Sequence, residues 1–217
     1  MATYDSLVQD TPIWLYAQNR DIVDEMPKLI SDAEDQIFEH IDHDLFQTVL
    51  TGKQIIANNP DLDLTADNVR EIRAVRLAWR SAYEFTPLER RELEFLTMLY
   101  NSNKPDRPRY YSAYGNLNVI RVFPLPRETY NLEVTVNLHP EKLSPTVQTN
   151  ILSETFPRVY ERAVLRQGAI FMKNPGDAQT YEKEMKDAIG EANIIIARRR
   201  RDETGQRAVE TSNQAGM

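Results

Sequence analysis

Cysteine is absent from the 217 residues, which excludes disulfides, thiolate metal sites and cysteine nucleophiles from this chain. Glycine is scarce, at seven positions, and neither G-x-G-x-x-G nor G-x-x-x-x-G-K-[ST] can be written, so no glycine-built phosphate cradle is available. No G-x-S-x-G occurs either, which removes the nucleophile elbow of the hydrolases. No apolar run approaches the roughly 20 residues that span a bilayer. The opening "MATYDSLVQDTP" carries acids where a secretory leader carries a basic and then an apolar region, so the expectation is a soluble protein made in the cytoplasm, with no membrane partner. Positive charge is in deficit: 26 Lys and Arg against 33 Asp and Glu leave −7, which argues against a surface given over to nucleic acid.

What is present is an ordinary globular balance, 41% hydrophobic and 27% charged, in a length that suits one large domain or two small ones. Residues 4–17 hold Leu7, Val8, Ile13, Trp14 and Leu15 around Pro12, and predict a short helix broken at the proline or an irregular arm with an apolar anchor. "RDIVDEMPKLISDAEDQIFEHID" is helical by period, with Met26, Ile30, Ala33, Ile37 and Ile41 on one face and Pro27 expected in the first turn.

The period then changes to strands. "FQTVLTGKQIIA" suggests a hairpin at Thr51-Gly52. "VREIRAVRLAW" alternates through Ile72, Val75, Leu77 and Trp79 with a slip at Ala74 that suits a bulge, and "SAYEFTP" is its expected partner. "PLERRELEFLTMLY" predicts a helix over 87–100, with Thr86 as cap, Pro87 at the first position and Glu89 completing the capping box. "RPRYYSAYGNLNVIRVFPLP" and the strictly alternating "YNLEVTVNLHP" predict a three-stranded antiparallel meander turning at Gly115-Asn116. Two helical segments follow, 150–173 and 177–201, broken at "NPG" and therefore expected to pack as a hairpin. The polar, aperiodic 202–217 predicts a flexible tail.

Few residues offer chemistry. "FEHIDHD" places His40 and His43 three apart beside Glu39, Asp42 and Asp44, a spacing that suits a divalent metal in a small accessory enzyme or, equally, a solvated helix end. His139 ends a strand with no evident partner. "RYYSAY" beside Arg107 and Arg109 suits base stacking, or simple cross-strand packing. The run Arg198, Arg199, Arg200, Arg201 is open to three readings: phosphate contact with DNA, docking on an acidic protein surface, or a cationic last turn that complements the helix dipole. The preceding Ile194, Ile195 and Ile196 cannot all face one core from one helix, so part of that apolar surface is expected to meet another chain.

The order of these stretches resembles the head-to-tail adaptor proteins that sit beneath the portal ring in short-tailed bacteriophages. The resemblance runs over residues 4–203: "MPKLISDAEDQIFEHID" with its early proline and central Ala-Glu, then "VLTGKQIIANNPDLDLTADNVREIRAVRL". "NKPDRPRYYSAYGNLNVIRVFPLPRETYNLEVTV" carries Pro-x-Tyr-Tyr and Pro-x-Pro, and a helical hairpin ends in the arginines. "NNPDLDLT" is a looser form of the family's crossing, and "LSPTVQTNIL" lacks the aromatic expected there.

The resemblance implies an α+β fold: a helical bundle built from both chain ends, an inserted antiparallel β-rich domain and an extended C-terminal tail. Its expected boundaries are 1–45, 46–140, 141–201 and 202–217. It further implies no enzymatic activity and no cofactor, but a dodecameric ring in the neck of the virion, assembled in the host cytoplasm. Its implied partners are the portal ring, tail or nozzle proteins and its own copies, with genomic DNA only passing through. Portal contact would fall on Ile194, Ile195, Ile196, Arg198, Arg199, Arg200 and Arg201.

Overall fold

The computed structural model describes residues 1–16, 20–78, 84–101, 104–115 and 118–214, with residue 20 and residues 202–214 described by backbone alone. Trp79, the expected partner residues Ser81 to Tyr83, Asn116 of the expected turn and residues 215–217 lie outside the described residues. The chain is mixed α+β and divides into two compact units, Met1–Leu45 with Pro140–Met217, and Phe46–His139.

The first unit is helical: α1 (Tyr4–Trp14), α2 (Arg20–His40), α4 (Ile151–Thr155), α5 (Pro157–Phe171) and α6 (Pro175–Gln214). Thr3 caps α1 by accepting the Ser6 N–H at 3.0 Å, while the Ser6 hydroxyl accepts the Thr3 N–H at 2.9 Å. Pro12 does not break this helix as its chemistry suggests. It stands so near the C-terminus that one missing hydrogen bond is the whole loss, and its ring is buried. Pro27 likewise lies inside α2 rather than in its first turn, on the exposed side with Val23, where a carbonyl left without its helical donor is open to water. The apolar stripe falls as the period predicts, with Met26, Ile30, Ala33 and Ile37 fully buried.

Phe156, which precedes Pro157, leaves the helical region at φ −131° and ψ 61° and so separates α4 from α5. α5 and α6 pack together, and Val159, Ala163 and Val164 of α5 and Met185, Ile189 and Ala192 of α6 are all buried. Lys173, at φ 56°, makes the turn between them. α1 meets α5 at Gly168, where a Cβ would clash with Leu15 Cδ1, so glycine lets the leucine keep this position. The tail expected from residue 202 is helical backbone as far as Gln214. Once a helix is long, each further residue adds a hydrogen bond without a new nucleus, and no proline interrupts the segment.

The second unit holds two four-stranded sheets, ordered β1-β8-β3-β4 and β2-β7-β6-β5. The strands are β1 (Gln47–Ile55), β2 (Asp61–Asp63), β3 (Val69–Ala78), β4 (Phe85–Pro87), β5 (Glu89–Arg90), β6 (Tyr110–Tyr114), β7 (Val119–Phe123) and β8 (Tyr130–Leu138). One core joins residues of both sheets, including Ile72, Val75 and Leu77 of β3, Val134 and Val136 of β8, and Tyr111, Ile120 and Val122 of the β6–β7 pair.

Three sequence expectations change here, and a fourth holds. "FQTVLTGKQIIA" is a single strand with a bulge between Leu50 and Lys53 rather than a hairpin, because Gly52 takes φ +73° and kinks the strand without reversing it. The slip at Ala74 is a register shift in β3, as the alternation suggests. The meander stops at two strands: β6 and β7 pair, but β8 lies between β1 and β3 in the other sheet. Between β7 and β8, Pro124 and Pro126 have no N–H to offer a ladder, and β8 buries alternate side chains while bonding on both edges. Finally, the helix expected over 87–100 is only α3 (Leu93–Leu99). Thr86 and Pro87 pair with Leu77 and Arg76, the Leu88 N–H donates to the Val75 carbonyl at 2.9 Å, and the Leu88 side chain is buried in the sheet core. Sheet pairing plus burial outweighs a capping box of about 1 kcal/mol. β5 and β6 run parallel, the one such pair among the described strands.

Candidate functional site

The C-terminal half of α6 presents two unlike faces. Met185, Ile189, Ala192 and Ile196 recur at helical spacing and are all buried, with Ile196 only 4% exposed. Continuing that face by one turn, Arg200 donates to Asp44 Oδ2 at 2.6 Å. Asn193 works beside them: its Oδ1 accepts the Asp42 N–H at 2.8 Å and its Nδ2 donates to the His40 carbonyl at 3.1 Å. These contacts satisfy backbone groups that the end of α2 leaves over, and they pin α2 to α6.

The other face is open. Ile194 is 53% and Ile195 39% exposed, and Arg198, Arg199 and Arg201 extend from the same side into solvent. Ile194, Arg198 and Arg201 stand at i, i+4 and i+7, and Ile195 and Arg199 at i, i+4, so two apolar side chains lie directly beside three guanidinium groups. The residues singled out from sequence therefore divide: five face outward, while Ile196 and Arg200 belong to the helix's own packing. The triple isoleucine is split between core and surface, as three successive helical residues must be.

The histidine cluster is spent on structure. His40 Nδ1 lies 2.9 Å from the Gln36 carbonyl and closes the end of α2. Asp42 Oδ1 accepts the Asp44 N–H at 3.0 Å, within the short 3-10 turn that contains His43. Among the described residues no three His, Asp or Glu side chains converge as a metal-ligand set. The aromatic run of β6 serves packing: Tyr111 is buried in the sheet core and Tyr110 lies 6.2 Å from the Tyr100 ring, while Arg107 donates to the Thr86 hydroxyl at 2.6 Å. His139 is exposed, and its backbone pairs with Asn68.

Two polar arrangements escape sequence inspection. Arg121 grips Asp61 with Nε at 2.7 Å and Nη2 at 2.6 Å, its guanidinium 5.1 Å from the Tyr114 ring centre, and this fork holds the Asp61 carboxyl below the ordinary aspartate range. Glu34 is fully buried on the apolar stripe of α2, and burial pushes its carboxyl up to about 7. The signal for Glu34 was present as an acid between Ala33 and Ile37 on the inward side; what it met there was not.

The model of the SU10 adaptor protein family matches residues 2–211, nearly the whole chain. The chain belongs to that family. The match is consistent with a phage head-to-tail adaptor, the resemblance that the order of motifs suggests. No curated protein matches the chain. Membership of that family points to a structural role.

Proposed function

We propose that this adaptor is a structural component of a phage neck: a ring, dodecameric in number, that docks on the portal, extends the DNA channel and receives the tail. The observation that carries the docking half of this proposal is the outward face of α6, where Ile194 and Ile195 lie beside Arg198, Arg199 and Arg201. Isoleucine gains nothing from phosphate, whereas a protein groove with an apolar floor and carboxylates at its rim matches both halves of the stripe. Family membership supports the partner's identity as the portal ring.

In this proposal the helices of both chain ends form the ring scaffold, and the two-sheet unit is the part that neighbouring subunits and tail proteins meet. Genomic DNA passes through without being gripped, and the acidic balance of −7 suits a channel wall that repels phosphate. The protein then resides in the neck of the virion and reaches it by assembly in the host cytoplasm. It performs no reaction and carries no cofactor.

The test is mass photometry of the full-length protein with rings of its cognate portal. A portal species gaining a full ring of subunits is expected for the parent, and none for Ile194→Asp with Arg198→Glu and Arg199→Glu, provided that circular dichroism and melting are unchanged. Full binding by that triple variant would refute docking through α6. Failure of the parent to bind portal at all would remove the adaptor assignment.

A further inference from the structure

Glu34 lies sealed in the helical unit at 0% exposure, with Ile30, Ala33 and Ile37 around it at the same value. Its Oε1 accepts the Leu143 N–H at 2.8 Å and the Tyr160 hydroxyl at 3.1 Å. Tyr160, also fully buried, in turn accepts from Asn150 Nδ2 at 2.7 Å, and that amide donates to the Glu141 carbonyl at 2.8 Å. Glu34 Oε2 is buried and has no hydrogen-bond partner among the described residues. A carboxylate here gives up water on one oxygen and receives nothing in exchange.

The groups bonded to Oε1 and to the Tyr160 relay belong largely to one segment. Residues 140–150 form a strap with no helix or strand, carrying the chain from β8 to α4. The strap is tied to α2 through Leu143 and through Lys142, whose ammonium meets Asp35 Oδ1 at 2.6 Å and Ser31 Oγ at 3.1 Å. It is tied to α5 through Asn150 and to α1 through Gln148, which receives the Tyr4 N–H on its carbonyl at 2.9 Å and the Asp5 N–H on its side chain at 3.1 Å. Asn150 also caps α4, its Oδ1 accepting the Ser153 N–H at 2.9 Å. The charges acting on Glu34 are Lys142 from the strap, which favours ionisation, and Asp35 from α2, which opposes it; Tyr160 is the titratable group that faces it from α5.

We propose that Glu34 is a proton-operated latch on this strap: the protonated carboxyl keeps residues 140–150 seated on α2 and α5, and its ionisation releases them. In this proposal, lifting the strap admits water to the carboxyl, so that opening relieves the cost of a buried charge. The direction follows from the seated state holding its proton to about pH 7, against 4.5 for a free glutamate. The seated state is favoured fully below 4.5, loses ground as pH rises to about 7, and above that stays disfavoured by the full cost of the buried charge with no further change. This inference does not depend on the portal reading.

The experiment is amide hydrogen exchange of the full chain between about pH 5 and 8, corrected for intrinsic base catalysis. The opening constant at the Leu143 amide is expected to rise on the order of a hundredfold and level off near neutrality, with amides of α6 unchanged. Glu34→Gln, which keeps an acceptor for Leu143, is expected to abolish that rise. Tyr160→Phe removes a donor that favours the ionised form and is expected to move the midpoint to higher pH. A pH-independent Leu143 amide in the parent would overturn the latch, as would a Glu34→Gln profile as steep as the parent's. If Glu34→Gln fails to fold, the parent and Tyr160→Phe profiles decide the matter, because an unmoved midpoint in the latter equally refutes it.

Discussion

Arg200 reaches from α6 to Asp44 at 2.6 Å, one helical turn beyond the buried Ile196, so adjacent residues of a single arginine run have opposite duties. Arg199 and Arg201 face solvent on either side of an arginine that closes the helix's own interface. Alanine at Arg200 is expected to leave portal association intact and to lower thermal stability modestly, since the guanidinium is largely exposed but its Asp44 partner is only 10% exposed. Ile196→Ala, by contrast, is expected to cost about 2–4 kcal/mol by opening a cavity under α6. Chemical denaturation of the two variants side by side checks both expectations.

Gly168 and Leu15 make a second pair whose energetics are separable. An alanine at Gly168 sets a methyl group against Leu15 Cδ1, so the leucine must rotate or α1 must shift. The expected loss is about 1–3 kcal/mol. Adding Leu15→Ala is expected to recover part of that loss rather than add its full cost, a positive coupling that a double-mutant cycle reads directly.

At Gly52 the strain lies in the backbone alone. No heavy atom stands within 4 Å of the point a Cβ would occupy, yet φ is +73°. Gly52→Ala is therefore expected to destabilise the two-sheet unit by about 1 kcal/mol, and Gly52→Asn by less, because asparagine tolerates the left-handed region. Urea titration of both variants distinguishes this from a packing effect, which would penalise the larger asparagine more.

The pH dependence of stability is expected to carry two terms of opposite sign. Asp61, held low chiefly by its hydrogen bonds from Arg121, contributes stability that is present above the ordinary aspartate range and is lost as pH falls through its folded value. Glu34, held high by burial, acts the other way, and its contribution disappears as pH rises from 4.5 to about 7. Asp61→Asn is expected to flatten only the acid limb of a stability–pH curve and Glu34→Gln only the neutral limb. A curve in which either variant altered the other's limb would contradict these assignments.

Periodicity in the chain already determined α2, the α5–α6 hairpin and the alternating β8, because each buries a face whose spacing is written into adjacent residues: Met26 to Ile41, Met185 to Ile196, Leu132 to Val136. The order of those elements was also enough to suggest the adaptor family. Tertiary structure alone decided what depends on partners distant in sequence. Thr86 and Pro87 have a sound helix-start pattern, but Leu77 and Arg76 offered a strand instead. β8 has the pattern for a meander, but edges on β1 and β3 took it into another sheet. His40, Asp42 and Asp44 have metal-like spacing, but Asn193 and Arg200 engaged that corner from more than a hundred residues away. Glu34 shows as an acid on an apolar stripe, and only the folded chain brings the Leu143 amide and the Tyr160 hydroxyl to it. Local pattern sets which face of a segment seeks cover, and long-range packing chooses what covers it, because the free energy of burial is indifferent to sequence separation once the chain has closed.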